Sequence, residues 1–458
     1  MVSFLKQGRA FYRQVAALSV PLVIQNLITS SLGMADTFMV GLLGTVDLAG
    51  VTLANIPFFV VQLFFFGVQS GGTVLISQYW GKGDKNSINR VLGLSWYVTG
   101  AVALTVALAM LVAPIQIMSL FGNDMNAVIV AARYGRIIGF AFLLNGLNLA
   151  YVGALRSMEQ PKIGTWMLGA SMVTNLFLNY VLIFGKLGAP RLGVEGAAIA
   201  TLAARVLESV IVIGHIIKNK TFRLDLSLVL RPGREMVGKL IKYSAPVVLN
   251  ETLWGLGTSI YPVIMGHMPG STEILAAYTI AGNVDKLVMV AISGLCVASA
   301  VIIGKEIGAG RPEKAYSISW TLNFLAMACG AVFGGALVAA ANWWFPHWLY
   351  PLFRMTTRTE SLVTMMLSII GGTLFLRGFS HVTIVGVLRG GGDVKTATLI
   401  DLLPLWLVSI PMAAVLGLWL NLGPVWVYIA MSLDQVIKLL MGVPRIRSRK
   451  WIHDVTVS

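Results

Sequence analysis

The chain has 458 residues, of which 57% are hydrophobic and 12% are charged, and its 34 Lys+Arg against 19 Asp+Glu leave a net charge of +15. A soluble domain carries about 25% charged residues, so half of the usual solvating charge is absent. With a mean hydropathy of +0.80, this excludes a water-soluble enzyme, a disordered chain and a disulfide scaffold, and leaves an integral membrane protein.

Twelve apolar segments follow one another at about 14–43, 48–79, 91–117, 130–155, 164–185, 195–217, 237–265, 274–303, 316–343, 361–388, 396–421 and 424–443. Each is long enough for a membrane-spanning helix, which needs roughly 20 residues. Met1 to Arg13 is too polar for a cleaved signal peptide, so the first apolar run is expected to stay as a helix. The polar stretch 218–236 divides the chain into an N-lobe (1–217, helices 1–6), an inter-lobe loop and a C-lobe (237–458, helices 7–12). Cys296 and Cys329 lie in apolar segments and read as packing residues rather than as disulfide or metal chemistry.

The basic excess sits in loops between apolar runs, where it sets topology, and no soluble basic face suggests nucleic acid. Lys6, Arg9, Arg13, Lys82, Lys85, Arg90, Arg156, Lys162, the seven Lys/Arg from Lys218 to Lys242, and Lys305, Arg311, Lys314, Arg389, Lys395, Arg445, Arg447, Arg449 and Lys450 fall on one side. Lys186, Arg191, Arg354 and Arg358 fall on the other. The positive-inside rule makes both termini cytoplasmic, as an even helix count requires.

An internal repeat relates the two halves. Leu18-Ser-Val-Pro21-Leu-Val-Ile-Gln-Asn26 reads like Tyr243-Ser-Ala-Pro246-Val-Val-Leu-Asn-Glu251, an offset of 225. Leu48–Ala54 then matches Leu275–Ala281, Gly81–Gly83 matches Gly308–Gly310, and Gly153-Ala-Leu-Arg156 with Lys162 matches Gly386-Val-Leu-Arg389 with Lys395. Six helices per repeat give both halves the same topology, related by an axis along the membrane normal. Two such lobes are a transporter plan, since rocking them alternates access to a midplane site.

Charged side chains at membrane depth cost at least about 2.5–3.5 kcal/mol, so each is a candidate for function. Asp36 lies in helix 1. Asn175 and Asn179 share one face of helix 5 at i,i+4 spacing, helix 6 offers Thr201, and helix 4 offers Tyr134, Asn145 and Asn148. A carboxylate with amide and hydroxyl oxygens could bind Na⁺ as a hard cation or hold a proton, while the amides serve equally well as interhelical glue. The second half carries Glu251 in helix 7, Asp285 and Lys286 in helix 8, Arg377 and His381 one turn apart in helix 10, and Asp401 early in helix 11. Asp285, Lys286 and Arg377 could form an ion-pair network, Asp401 suits a gate or loop anchor, and His381 is a candidate for titration near neutral pH. Pro21 and Pro246 each remove a backbone hydrogen bond and are expected to kink helices 1 and 7. Neither Ser70-Gly-Gly72 nor Gly390-Gly-Gly392 carries the Lys-Ser/Thr of a phosphate loop, so energy is expected from an ion gradient.

These residues resemble the multidrug and toxic compound extrusion (MATE) family across essentially the whole chain. The carriers are Pro21 with Met34-Ala-Asp36-Thr-Phe-Met-Val-Gly41, Asn175-Leu-Phe-Leu-Asn179-Tyr-Val-Leu-Ile-Phe-Gly185, Gly193-Val-Glu-Gly-Ala-Ala198 leading to Thr201, Leu388-Arg-Gly-Gly-Gly-Asp393 and Ser448-Arg-Lys-Trp451-Ile. The resemblance implies an all-α polytopic membrane protein with 12 transmembrane helices in a V-shaped pair of pseudo-symmetric six-helix lobes. It implies an inner (plasma) membrane antiporter, with no enzymatic step and no cofactor, that exports organic cations and other drugs against Na⁺ or H⁺ and functions as a monomer.

The resemblance also makes Asp36 the coupling carboxylate, Asn175, Asn179 and Thr201 its partners with Tyr134, and Glu251 the helix 7 acid of the sodium-coupled branch. Two departures place coupling in the N-lobe: many relatives have an aspartate at Asn179, and a helix 10 acid is replaced by Arg377-Gly-Phe-Ser-His381. Asn145, Asn148, Asp285, Arg377 and His381 remain candidates for substrate contact or secondary coupling. A lipid-linked oligosaccharide flippase would favour a strongly cationic cavity, and a passive facilitator would need no gradient. The loop Trp80-Gly-Lys-Gly-Asp-Lys-Asn86 lacks the Gly-x-x-x-Asp-Arg pattern of a major-facilitator transporter.

Overall fold

The structure, a computed structural model, describes residues 7–353 and 355–457 and has no strand among them. Lys6 and Arg354, both counted in the loop-charge asymmetry, lie outside the described residues. Twelve long helices follow the twelve apolar segments. They are α1 (Arg9–Gly41), α2 (Thr45–Lys82), α3 (Lys85–Val112), α4 (Met125–Ser157), α5 (Lys162–Phe184), α6 (Gly193–Lys218) and α7 (Arg234–Gly266). The others are α8 (Ser271–Gly308), α9 (Pro312–Trp348), α10 (Thr357–Leu388), α11 (Val394–Trp419) and α12 (Pro424–Arg447).

Eleven of these helices are long and apolar enough to cross a membrane. The other is α7: its 33 residues give roughly 50 Å at about 1.5 Å per residue, but Asn250, Glu251, Thr252, Thr258 and Ser259 dilute its apolar run. Large apolar side chains such as Val20, Ile24, Leu27, Met34 and Phe38 of α1 stay exposed, as lipid-facing positions require. The fold is that of a polytopic all-α membrane protein.

The repeat is visible in the helix lengths. α1 and α7 both have 33 residues, α2 and α8 both have 38, and α3 matches the regular α-helical part of α9 at 28. It is visible in the turns as well. Gly83 after α2 and Gly310 after α8 take φ of 82° and 72°, a left-handed conformation that only glycine adopts without cost. Four π-helical segments, Ala340–Trp344, Val382–Leu388, Leu405–Ser409 and Val415–Trp419, interrupt α9, α10 and α11.

The chain forms two compact units. One is Ile24–Val248; the other begins at Leu249 and also takes the start of α1 up to Val23. Both α1 and α7 are therefore divided two residues beyond a proline, Pro21 and Pro246, at positions that the repeat equates. Within the 24–248 unit, Val40, Val51, Phe58, Met110, Val128 and Ile183 belong to one buried cluster. Within the 249–458 unit, Phe11, Val15, Leu18 and Leu22 of α1 enter the same core as Leu295, Ile302 and Trp320.

Small residues set the closest helix contacts, as is usual where lipid supplies no hydrophobic drive between helices. A Cβ added at Gly330 would lie 2.6 Å from the carbonyl oxygen of Leu374, which brings α9 against α10. The Leu388-Arg-Gly-Gly-Gly-Asp393 stretch receives the C-terminal segment: His453 N donates to Gly391 O at 2.8 Å, Arg445 Nε donates to Asp393 Oδ2 at 2.7 Å, and Trp451 is fully buried over Gly391. Two separate sequence motifs thus form one structural unit.

Candidate functional site

The end of α1 is held against the last turn of α5 and the first turns of α6. α5 stops at Gly185, with φ of 66°, and the chain returns so that Leu192 N donates to Leu182 O at 2.9 Å. Gly196 lets α6 approach α5 closely, since a Cβ there would sit 2.7 Å from Leu182 O. Val40, Ile183, Val194 and Ala198 are buried together, which fixes the last turns of α1 on this hairpin.

This packing brings Asp36, Asn175, Asn179 and Thr201 into one hydrogen-bonded chain. Asn179 Nδ2 donates to Asp36 Oδ1 at 2.5 Å and to Asn175 Oδ1 at 2.9 Å, and Asn175 Nδ2 donates to Thr201 Oγ1 at 3.2 Å. Asn175 and Asn179 are 1% and 0% exposed, whereas Asp36 is half-buried. The Asn179 amide has spent both protons, and its own Oδ1 is buried without a partner. A buried acceptor left unpaired costs about 1–3 kcal/mol. The site therefore offers a carboxylate and a spare amide oxygen to a cation or a proton donor. Tyr134 is buried in the adjoining apolar cluster, within electrostatic range of Asp36.

The other helix 4 amides are engaged elsewhere in the same unit. Asn145 Nδ2 donates to Gln62 Oε1 at 3.2 Å. Asn148 Nδ2 donates to the Arg205 carbonyl at 3.3 Å, and its Oδ1 accepts from Ser209 Oγ at 3.1 Å, so it joins α4 to α6.

In the 249–458 unit several ionisable residues are paired. Arg377 grips Asp285 with two parallel bonds of 2.6 and 2.9 Å, while Lys286 is exposed. Glu251 Oε1 accepts from Arg389 Nη1 at 3.0 Å, and Arg389 is 1% exposed with its Nε and Nη2 unpartnered. Asp401, read from the sequence as a gate or loop anchor, accepts from Lys438 Nζ at 2.8 Å and from Asn250 Nδ2 at 2.9 Å. His381 stands where α10 turns π-helical, and its carbonyl accepts from the Cys296 thiol at 3.4 Å.

Sequence reasoning passes over Gln25, Arg205, Glu208, Asp434 and Lys438. Gln25 ties α1 to the start of α5 by donating to Pro161 O at 2.9 Å and to Thr165 Oγ1 at 3.0 Å. Glu208, 1% exposed, pairs with Arg205 at 2.7 Å. Lys438 pairs with Asp434 at 2.8 Å. For the four ionisable ones the signal was a charge inside an apolar run, as in Val206-Leu-Glu208-Ser-Val210 and Val436-Ile-Lys438-Leu-Leu440.

Comparison with known proteins agrees with this architecture. The MatE family model matches residues 21–181 and 246–415. Among curated relatives, a probable multidrug resistance protein NorM of Thermotoga maritima is 24% identical over 96% of this chain and 93% of its own length. Another of the same description, from Bradyrhizobium diazoefficiens, is 28% identical over 94% and 92%. Among solved structures, the outward-facing conformation of a multidrug resistance MATE family transporter has a TM-score of 0.86 at 20% identity, covering 97% and 96% of the two chains. A transporter of the MOP superfamily from Pyrococcus furiosus has a TM-score of 0.84 at 22% identity, covering 95% and 96%.

Proposed function

This chain belongs to the MatE family of membrane transporters, and from that premise we propose that it is a secondary active exporter. It exchanges organic cations and other drugs for Na⁺ or H⁺ by alternating access, in the inner (plasma) membrane with both termini cytoplasmic. Asp36 is the coupling carboxylate, and Asn179, Asn175 and Thr201 hold it.

One observation carries this reading. Glu208, Glu251, Asp285, Asp401 and Asp434 each have a basic partner within hydrogen-bond distance. Asp36 has only an amide among the described residues. Arg205 is near enough to act on Asp36 electrostatically, but its Nη1 is committed to Glu208. An acid without a resident counter-charge at membrane depth is open to an exchangeable one. The orphan Asn179 Oδ1 supports the same assignment, because it supplies a second oxygen beside the carboxylate.

The cycle follows from charge. From the outside, a cation or proton neutralises Asp36, which weakens its demand on the Asn179 amide and lets the end of α1 repack. Drug leaves outward, and release of the ion to the inside restores the charged site. Efflux of a fluorescent organic cation from proteoliposomes, with Na⁺ and pH gradients imposed separately, tests this. Wild type responds to one gradient, and Asp36→Asn responds to neither. Efflux by the wild type without any gradient, or normal efflux by Asp36→Asn, overturns the reading in favour of a passive facilitator or a flippase.

A further inference from the structure

Aligning Gly193 and Gly423, which stand at the start of α6 and α12, places Lys438 at the position of Glu208. Both side chains are buried, at 4% and 1% exposure, and their charges are opposite. In the 24–248 unit the buried acid is answered by Arg205 on its own helix. In the 249–458 unit the buried ammonium is held by acids from two helices.

Lys438 Nζ lies 2.8 Å from Asp401 Oδ1 on α11 and 2.8 Å from Asp434 Oδ2 on α12. Asn250 of α7 donates to the other Asp401 oxygen at 2.9 Å, and Gln435 Nε2 donates to Asp434 Oδ2 at 2.9 Å. Asp434 Oδ1 and Asn250 Oδ1 are buried without a hydrogen-bond partner. Two carboxylates and a single positive charge make up the cluster, and the Asn250 amide braces one of the carboxylates. Oxygen donors from several helices are the ligand type that hard monovalent and divalent cations take, and here the protein's own ammonium fills the place. Arg389, the nearby guanidinium that also acts on Asp401, is committed to Glu251.

We infer that Lys438 is a tethered cation occupying a built site of Asp401 and Asp434, with Asn250 bracing Asp401, so that the positive charge of this unit is resident and not exchanged. The inference deepens the proposed function, because it rests on Asp36 as the exchanging acid: one lobe trades its cation with each cycle while the other carries a permanent one. Lys438 is a positioning residue. Its ammonium keeps α7, α11 and α12 together without calling on the gradient.

Emptying the site tests this. In purified full-length protein, Lys438→Ala should gain thermal stability by at least about 2 °C when methylammonium chloride replaces choline chloride, a shift of the size that a fraction of one restored ion pair produces. Wild type and Asp36→Asn should show no such shift, and adding Asp401→Asn to Lys438→Ala should abolish it. Lys438→Arg should keep gradient-driven efflux, and Lys438→Gln should lose it by tenfold or more. Absence of a methylammonium shift in Lys438→Ala, an equal shift in wild type, or full efflux by Lys438→Gln overturns the proposal. Should Lys438→Ala not fold, Lys438→Gln with Asp434→Asn leaves one carboxylate uncompensated and carries the same thermal comparison. If Asp36 proves not to be the coupling acid, Asp36→Asn transports normally while the thermal shift stands, so the two failures are distinguishable.

Discussion

Asn179 gives Asp36 its amide proton at 2.5 Å while its own carbonyl oxygen stays buried and unpaired. This one-sided contact supports the ionised form of Asp36 and leaves one Asn179 oxygen uncommitted beside it. Hydrogen bonds to charged groups contribute about 1.5–3 kcal/mol, or roughly tenfold to a hundredfold in binding. Asn179→Leu should therefore shift the half-saturating concentration of the coupling ion by at least about tenfold with expression preserved, upward for Na⁺, which loses the Asn179 oxygen, and downward for H⁺, because the carboxylate loses the bond that favours its ionised form. Asn145→Ala, which loses only its contact to Gln62, should leave that concentration unchanged. Ion titration of drug efflux in proteoliposomes makes the comparison, and equal effects of the two variants would count against the Asn179 assignment.

The fork between Arg377 and Asp285 behaves differently from the Asp36 site, because both charges are resident. Removing one partner leaves a half-buried charge uncompensated, which costs less than the about 3–5 kcal/mol of a fully buried pair but is still destabilising. Arg377→Gln and Asp285→Asn should each lower the unfolding temperature markedly, while the double variant should recover much of the loss. A double-mutant cycle by thermal unfolding measures the coupling; additive losses would show that the pair does not act as a unit.

Much of this was readable from the amino acids, and the boundary is physical. The twelve helices follow from apolar runs, and the repeat follows from Pro21 and Pro246 with their neighbours. Asn175 and Asn179 are legible because i,i+4 spacing alone puts them on one face. Lys438 with Asp401, and Arg389 with Glu251, are not legible in that way. The second pair joins residues 138 apart, and a charge in an apolar run looks the same whether or not a distant helix answers it. Asp401 illustrates the difficulty. Its place early in α11 suggested a gate or a loop anchor, and only packing against α7 and α12 reveals a half-buried acceptor of two donors.

The starts of α1 and α7 meet α8 and α2 through equivalent glycines. A Cβ at Gly294 would lie 2.6 Å from Val23 Cγ2 and 2.9 Å from Ser19 O, and a Cβ at Gly67 would collide with Val248. Shifts of 225 for α1 and α7 and of 227 for α2 and α8 superpose the two contacts. Overpacking of this kind typically costs about 1–3 kcal/mol, so Gly67→Ala and Gly294→Ala should each destabilise, whereas Gly282→Ala, whose Cβ meets nothing within 4 Å, should not. Thermal unfolding of the three variants decides it. Wild-type stability in both Gly67→Ala and Gly294→Ala would mean that these helices yield freely.

Trp451, fully buried against Gly391, fastens the C-terminal segment, with its Nε1 donating to Ile446 O at 3.1 Å. Truncating a buried aromatic costs about 3–5 kcal/mol, so Trp451→Ala should release this segment to protease and lower stability. Trp343→Ala, at a 76% exposed position, should do neither. Limited proteolysis read by mass spectrometry distinguishes them, and a protected C-terminus in Trp451→Ala would refute the lock.

Asp84, between α2 and α3, caps α3 by accepting from Ser87 N at 3.0 Å and from Ser87 Oγ at 2.7 Å. Burial by itself would push its carboxyl up. The hydrogen bonds from Ser87 and Asn86 and the charge of Lys82 outweigh that and hold it below the usual carboxylate range. A carboxylate depressed in the folded state contributes stability that is complete above its unfolded pKa of about 3.9 and is lost as pH falls through the folded value. Asp84→Ala should accordingly cost about 1 kcal/mol at neutral pH, with the gap to wild type closing only below about pH 4. Asp84→Asn, which can still cap the helix, should show little loss and no acid step. Unfolding measured as a pH series checks both, and a wild-type advantage that widens on acidification would contradict the assigned sign.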